Sequence, residues 1–299
     1  MTADAAEPAL PTVPYGAWPS PVDARDLVVG ASQPLEVWAE AGVTWWSQTR
    51  PDQGGREQIV RRDGDSPVHD PLPDGWNART RVHEYGGAAW WVHGAVIFTV
   101  DWTDQRLYRA EPGQPPVPIT PAPAVPAALR YADGRLTADG AICICVRESH
   151  ADGEVRNEIV AIDANARPAD DPAAPVVLVT GPDFVAAPRI SPDGARLAWI
   201  EWQHPNMPWD TTQLWVGDLV RDDDGDGIGL RLENAAPVAG APDESLVQPE
   251  WGPDGQLYVI SDRSDWWNVY RIETAEDGPN WFRYTRWPPK WASPPGVSG

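Results

Sequence analysis

The chain has a single lysine, Lys290, among 23 basic residues, and only two cysteines in 299 positions. Against those 23 stand 44 Asp and Glu, a net charge of −21. That leaves too little positive surface for nucleic acid or an anionic membrane, so both are set aside as partners in favour of a plain acidic, soluble surface. No apolar run approaches the roughly 18 residues that cross a bilayer. The opening "MTADAAEPALPTVPYG" lacks the basic start and apolar stretch of a signal peptide, and the expected location is the cytoplasm. Cys143 and Cys145, two apart in "AICICV", offer too few ligands for a structural zinc site. They are expected to be reduced core residues on one face of a strand. No amphipathic helical period of useful length occurs either.

What the chain does have is a repeat. "RLTADGAICICV" (Arg135–Val146), "RISPDGARLAWI" (Arg189–Ile200) and "EWGPDGQLYVIS" (Glu250–Ser261) align on the turn glycines Gly140, Gly194 and Gly255. Pro192 or Pro253 presets φ at the second turn position, Asp193 or Asp254 suits the third, and the glycine supplies a positive φ. Each turn leads into an apolar strand, and a second strand follows after a variable loop. The pairs are "AICICVRE" with "NEIVAID", "LAWIEW" with "TQLWVGDL", and "LYVISDR" with "WNVYRIE". Two earlier pairs lack the Asp-Gly turn: "VTWWSQTR" with "REQIVRR", and "AVIFTVDW" with "QRLYRA". Five such units at this spacing predict an all-β propeller rather than a sandwich. A hydrophobic content of 42% supplies enough core.

One acidic stretch matches a known ligand string. In "DDDGDGIGLRLE", Asp222, Asp224, Asp226 and Glu233 satisfy the calcium-loop spacing of an EF-hand. The flanking segments read as strands, not helices, and Ile228 falls one position early. A solvated hairpin loop is therefore expected there, and no metal.

Longer strings resemble a family. "PYGAWPSPVDARDLV", "TRVHEYGGAAWWV", "DQRLYR", "EWQHPNMPWDTTQLWVGDL" and "QPEWGPDGQLYVISDRSDWWNVYR", spread from Pro14 to Arg271, are similar to the N-terminal propeller of prolyl oligopeptidase-family serine peptidases. The acylaminoacyl-peptidase and dipeptidyl-aminopeptidase-like branch resembles them most. The resemblance implies a propeller, usually seven-bladed, that caps an α/β-hydrolase domain and limits access to a Ser-Asp-His site. No G-x-S-x-G nucleophile elbow occurs in these 299 residues. The expectation is an incomplete β-propeller with about five to six recognisable blades, without catalytic residues of its own and without a cofactor. Its organisation is an N-terminal extension over 1–30, the propeller over 31–275 and an aberrant tail over 276–299.

By the resemblance, Arg81, His83, Glu84 and Tyr85 would lie near the central channel. There they form either a substrate-side wall or a buried polar network that fixes a loop between blades. Glu201, His204, Asn206, Trp209 and Asp210 are read as one long loop, where a carboxylate could hold a peptide's α-ammonium. Arg263 belongs to a similar loop one blade later, whose Trp266 and Trp267 are expected to pack between blades. Three functions compete: the substrate-gating part of a cytoplasmic peptidase acting on peptides, a stand-alone propeller binding a peptide or protein, and a metal- or quinone-dependent propeller enzyme. The five histidines are scattered without metal spacing, which leaves the last weakest. The tail itself is odd. Permissible GC-rich codons from Arg283, read two nucleotides later, give an acidic Pro-Met…Glu…Gly…Pro…Trp…Phe-Gly run like that of family members. A frameshift near Arg283 is the expectation.

Overall fold

The structure, a computed structural model, describes residues 13–17, 20–23, 25–27, 31–151, 153–165, 172–221, 228–275 and 278–283. Asp222, Asp224 and Asp226 of the expected acidic loop, and the tail from 284 onward, lie outside these residues. Among the described residues the fold is five antiparallel meanders and one short 3-10 turn, Pro51–Gln53. Blade 1 is β1 (Pro34–Glu40), β2 (Val43–Arg50) and β3 (Arg56–Asp63). Blade 2 is β4 (Trp90–His93), β5 (Val96–Val100), β6 (Leu107–Ala110) and β7 (Val117–Pro118). Blade 3 is β8 (Leu129–Leu136), β9 (Ile142–Ser149), β10 (Arg156–Asp163) and β11 (Val176–Val179). Blade 4 is β12 (Phe184–Ile190), β13 (Arg196–Trp202), β14 (Gln213–Arg221) and β15 (Leu230–Ala239). Blade 5 is β16 (Leu246–Trp251), β17 (Leu257–Ser261), β18 (Asn268–Ala275) and β19 (Gly278–Arg283). The expected border between propeller and tail at 275/276 falls inside the β18–β19 pair.

The five strand pairs legible in the sequence are the second and third strands of the five blades. Of these, β5, β9, β10 and β13 are covered on both faces, which is why they read as nearly unbroken apolar runs. On β9, Ile142, Ile144 and Val146 pack toward blade 4, while Cys143 and Cys145 pack toward blade 2 as free, fully buried thiols. Period-two alternation thus feeds two separate cores from one strand. Four such cores fill the spaces between consecutive blades. They centre on Trp45 with Trp90, Trp91 with Tyr131, Ile144 with Trp199, and Trp202 with Val259. Each large side chain fully buried there contributes on the order of 1.5–3 kcal/mol.

The predicted turns form as expected. Gly140, Gly194 and Gly255 adopt φ of 69°, 74° and 76°. Each donates its N–H to the carbonyl three residues back, on Thr137, Ser191 and Gly252. Asp139, Asp193 and Asp254 accept the N–H two residues on, closing the turn from inside.

The first strands of blades 2 to 5 lie side by side around the axis. The crossovers between blades and the loops between second and third strands therefore share one face, here the crossover face, and the tight hairpins share the other. Strands β8, β12 and β16 each break register once, between Ala132 and Arg135, Ala186 and Arg189, and Val247 and Glu250. At each break one residue turns left-handed: Asp133 at φ 58°, Ala187 at 51° and Gln248 at 52°. Such bulges re-aim the residue that follows. At the first of them, Asp133 donates its N–H to Ala88 O and accepts the Ala88 N–H on Oδ1 at 2.7 Å. Its Oδ2 accepts the N–H of Ala187 in blade 4 at 3.1 Å. One carboxylate thereby ties blades 2, 3 and 4 together. Its neighbour Gly134 has no room for a side chain, since an added Cβ would lie 1.9 Å from the Trp91 ring. Asp133→Ala strips both N–H groups of their acceptor. It is expected to lower the unfolding free energy by roughly 2–4 kcal/mol, with Asp133→Asn costing less. Urea denaturation measures this, and an unchanged midpoint in the alanine variant would refute the role.

Candidate functional site

The loop carrying Arg81, His83, Glu84 and Tyr85 enters blade 2 on the crossover face. His83 and Glu84 both sit in the left-handed region, at φ 56° and 64°. Three anchors hold that strained stretch in place. Arg81 donates its backbone N–H to Gln105 Oε1 at 2.7 Å, and its guanidinium lies 4.2 Å from the Trp102 ring centroid. The His83 N–H donates to Glu148 Oε2 at 2.6 Å. Glu148 is buried, and its other oxygen accepts from Arg130 Nη1 at 2.9 Å and faces His150 Nε2 at 2.6 Å. Arg130 Nη1 also reaches Glu84 Oε1 at 2.6 Å. Glu84, Glu148 and His150 could in geometry surround a cation, but the Arg130 guanidinium already supplies the positive charge to both carboxylates. Glu84 and Tyr85 remain open to solvent.

The second predicted loop meets the first through rings. His83 lies 5.4 Å from Phe184 and 5.2 Å from Trp202, centroid to centroid. Phe184 stacks on Trp202 and lies 4.9 Å from His204. Burial in this cage holds the His83 imidazole below its ordinary range, with Glu148, Asp133 and Asn157 opposing the shift. Asp183 Oδ2 accepts the His204 N–H at 2.8 Å and pairs with its Nδ1 at 3.0 Å. Asp210 closes the loop by accepting the Met207 N–H, and Asn206 donates its backbone N–H to Gln203 O. Trp209 is left exposed.

Two expectations need correction. Glu201 is not a loop residue. It lies within β13 on the face of Leu197 and Trp199, is buried, and accepts Trp199 Nε1–H at 2.7 Å. Burial raises its carboxyl above the ordinary range. Trp266 and Trp267 do not pack between blades either. At 77% and 52% exposure they project from the tip of the loop between β17 and β18. Arg263 of that loop is taken up by blade 5 itself, 3.7 Å from the Trp281 ring centroid and 3.9 Å from the buried Glu244 carboxylate. Glu233 sits in β15, paired with Arg231 at 2.9 Å.

A second set of charges, which sequence reasoning missed, lies on the axis. A cavity of about 450 Å³ is walled by residues of all five blades, among them Glu36, Trp90, Arg135, Arg189 and Glu250. Arg189 Nε meets Glu250 Oε1 at 2.6 Å, and Arg135 Nη2 approaches the same oxygen at 3.6 Å. The signal was present in the repeat: these three residues open the three aligned segments.

A β-propeller family model, described as the lipoprotein LpqB beta-propeller domain, matches residues 137–291, more than half of the chain. The chain belongs to the LpqB β-propeller family. This LpqB-type propeller is also similar to a puromycin-hydrolyzing peptidase of Mycobacterium tuberculosis, at 39% identity and a TM-score of 0.78 over 90% of this chain. A puromycin hydrolase matches at 35% identity, with a TM-score of 0.78 over 91% of the chain. In both cases the chain spans only 42% of the relative's length. A prolyl endopeptidase at 14% identity and a TM-score of 0.52 shares the fold alone. No curated protein matches. The resemblance to the propeller of prolyl oligopeptidase-family peptidases is thus borne out, as is the all-β propeller with five blades.

On the LpqB-type axis, Glu36 is open to solvent yet set among the cavity walls. That enclosure, then the charges of Asp133 and Glu57, push its carboxyl up to about 7 against the pull of Arg135. From an ordinary value of 4.5, the folded state holds an extra proton across the window up to about 7. Stability therefore falls as pH rises through that window and levels off above it. Glu36→Gln is expected to flatten this decline in thermal melts between about pH 5 and pH 8. Parallel wild-type and variant profiles would contradict it.

Proposed function

We propose that this chain is the propeller part of a cytoplasmic serine peptidase, admitting peptides to a hydrolase domain while contributing no nucleophile. The observation that carries this is the 35–39% identity to puromycin-hydrolysing peptidases across nearly the whole chain, over 42% of their length. The absence of a G-x-S-x-G string among the 299 residues is consistent with it. A five-walled charged cavity suits extended peptides and excludes folded chains. In this reading the exposed rim of the crossover face meets an arriving peptide. Asp210 offers a carboxylate to its ammonium group, and Tyr85 and Trp209 offer apolar rings to its side chains. Arg81, His83 and His204 hold that rim in shape. The charge of −21 disfavours nucleic acid as a partner.

The exposed rings of Trp209, Trp266 and Trp267 favour a second reading, a stand-alone propeller that docks a peptide or protein there. One experiment separates the two. The 299-residue chain is mixed with the hydrolase portion of a puromycin-hydrolysing relative and assayed on short peptides and on a folded protein. The expected result is association, cleavage of short peptides only, and no cleavage by the chain alone. Failure to associate, with tight peptide binding retained, would leave the stand-alone reading in its place.

A further inference from the structure

The geometry points to the axial ring of Arg135, Arg189 and Glu250 as a carboxylate-binding site, in which Glu250 occupies the seat of a ligand's carboxylate. The ligand class is peptides with a free C-terminus, and this part rests on the peptide reading above. The three residues hold the same place in consecutive blades, each following a bulge that turns its side chain toward the channel. The two arginines are built alike. Arg135 Nη1 donates to Gly134 O at 2.8 Å, and Arg189 Nη1 donates to Pro188 O at 2.9 Å. Each guanidinium is thus fixed by one arm to its own strand, and the rest of the fork faces the cavity.

Two forks converge on one oxygen of one carboxylate, Glu250 Oε1. Paired guanidiniums in a fixed fork suit a bidentate carboxylate better than this shared single oxygen. Two further acids stand near them: Asp133, whose oxygens are both committed to backbone N–H groups, and Glu36, which feels the pull of Arg135 across the cavity. The arginine side chains are 22% and 12% exposed, whereas that of Glu250 is 55% exposed. The guanidiniums are therefore held while their partner is free to swing out. An ion pair so open to solvent is weak, and its exchange for a ligand carboxylate costs little.

N-acetyl-tetraalanine and its C-terminal amide, both lacking an ammonium group, serve as probes in calorimetric titrations of the full chain at low ionic strength. The acid is expected to bind about five-fold tighter than the amide. Glu250→Gln removes the resident competitor and should tighten the acid by a further factor of about five, leaving the amide unchanged. Arg189→Gln should abolish the preference for the acid. Arg189→Lys, which keeps the charge and loses the fork, should reduce it and stands in if the glutamine variant fails to fold. Weaker acid binding in Glu250→Gln would show that Glu250 belongs to recognition and overturn the assignment. Equal binding of acid and amide in wild type and Glu250→Gln overturns the site and leaves the peptide reading standing. Binding of neither probe to any of the proteins overturns both.

Discussion

At the axis, three blades meet on the two oxygens of Asp133, because neither flanking strand can satisfy its own backbone there. The bulge in β12 takes Ala187 out of its ladder, and Ala88 lies just ahead of β4 outside any strand, so both N–H groups need an acceptor. A carboxylate serves both, and an aspartate tolerates the left-handed backbone at φ 58° that the bulge imposes. The packing beside it follows. Gly134 must stay bare for Trp91 to fill the space between blades 2 and 3, and Arg135 is then delivered into the channel. The same bulge in β12 and β16 places Arg189 and Glu250 at matching heights, so the hydrogen-bond solution of the axis also sets its electrostatics.

Away from the axis, buried carboxylates recur at the crossover face. Glu148 satisfies a strained loop, a guanidinium and an imidazole at once. Glu244 accepts from Ser261 and from the Ala241 N–H, binding the entry of blade 5 to its second strand. Glu201 accepts a tryptophan N–H, and burial raises its carboxyl. A ring of sheets joined mainly by apolar faces has little to stop one blade sliding on the next, and these directional bonds supply the register. The exposed Glu84, Tyr85 and Trp209 stand on that braced rim, which is what makes a loop surface firm enough to receive a ligand.

The second and third strands were legible because at least one face is buried, and where both are, as in "AICICV" and "LAWIEW", every residue carries the signal. The inner strands were not. β8 reads "LRYADGRL" and β16 reads "LVQPEW", sequences broken by bulges and by charges that line the channel. The outer strands are short or, as in β15, largely exposed, and local pattern fades with them. Among the site residues, the clustering of residues 81–85 was readable from one stretch of polar side chains. The fate of Glu201 depended on which face of β13 it took. Trp266 and Trp267 were misread because tryptophan in a propeller usually packs, and only the loop's projection leaves them bare.

By itself the sequence determined the turns, the paired strands, the acidic surface and the absence of a nucleophile elbow, since each depends on neighbours within a few residues. Only the tertiary structure decided that Asp133 bonds to Ala187, 54 residues on, and that Arg189 meets Glu250, 61 residues on. Those meetings depend on the angle between successive blades, which is set by how whole sheet faces pack. The repeat placed the three charged residues in one column. The turning of successive sheets about an axis brought that column together on one cavity.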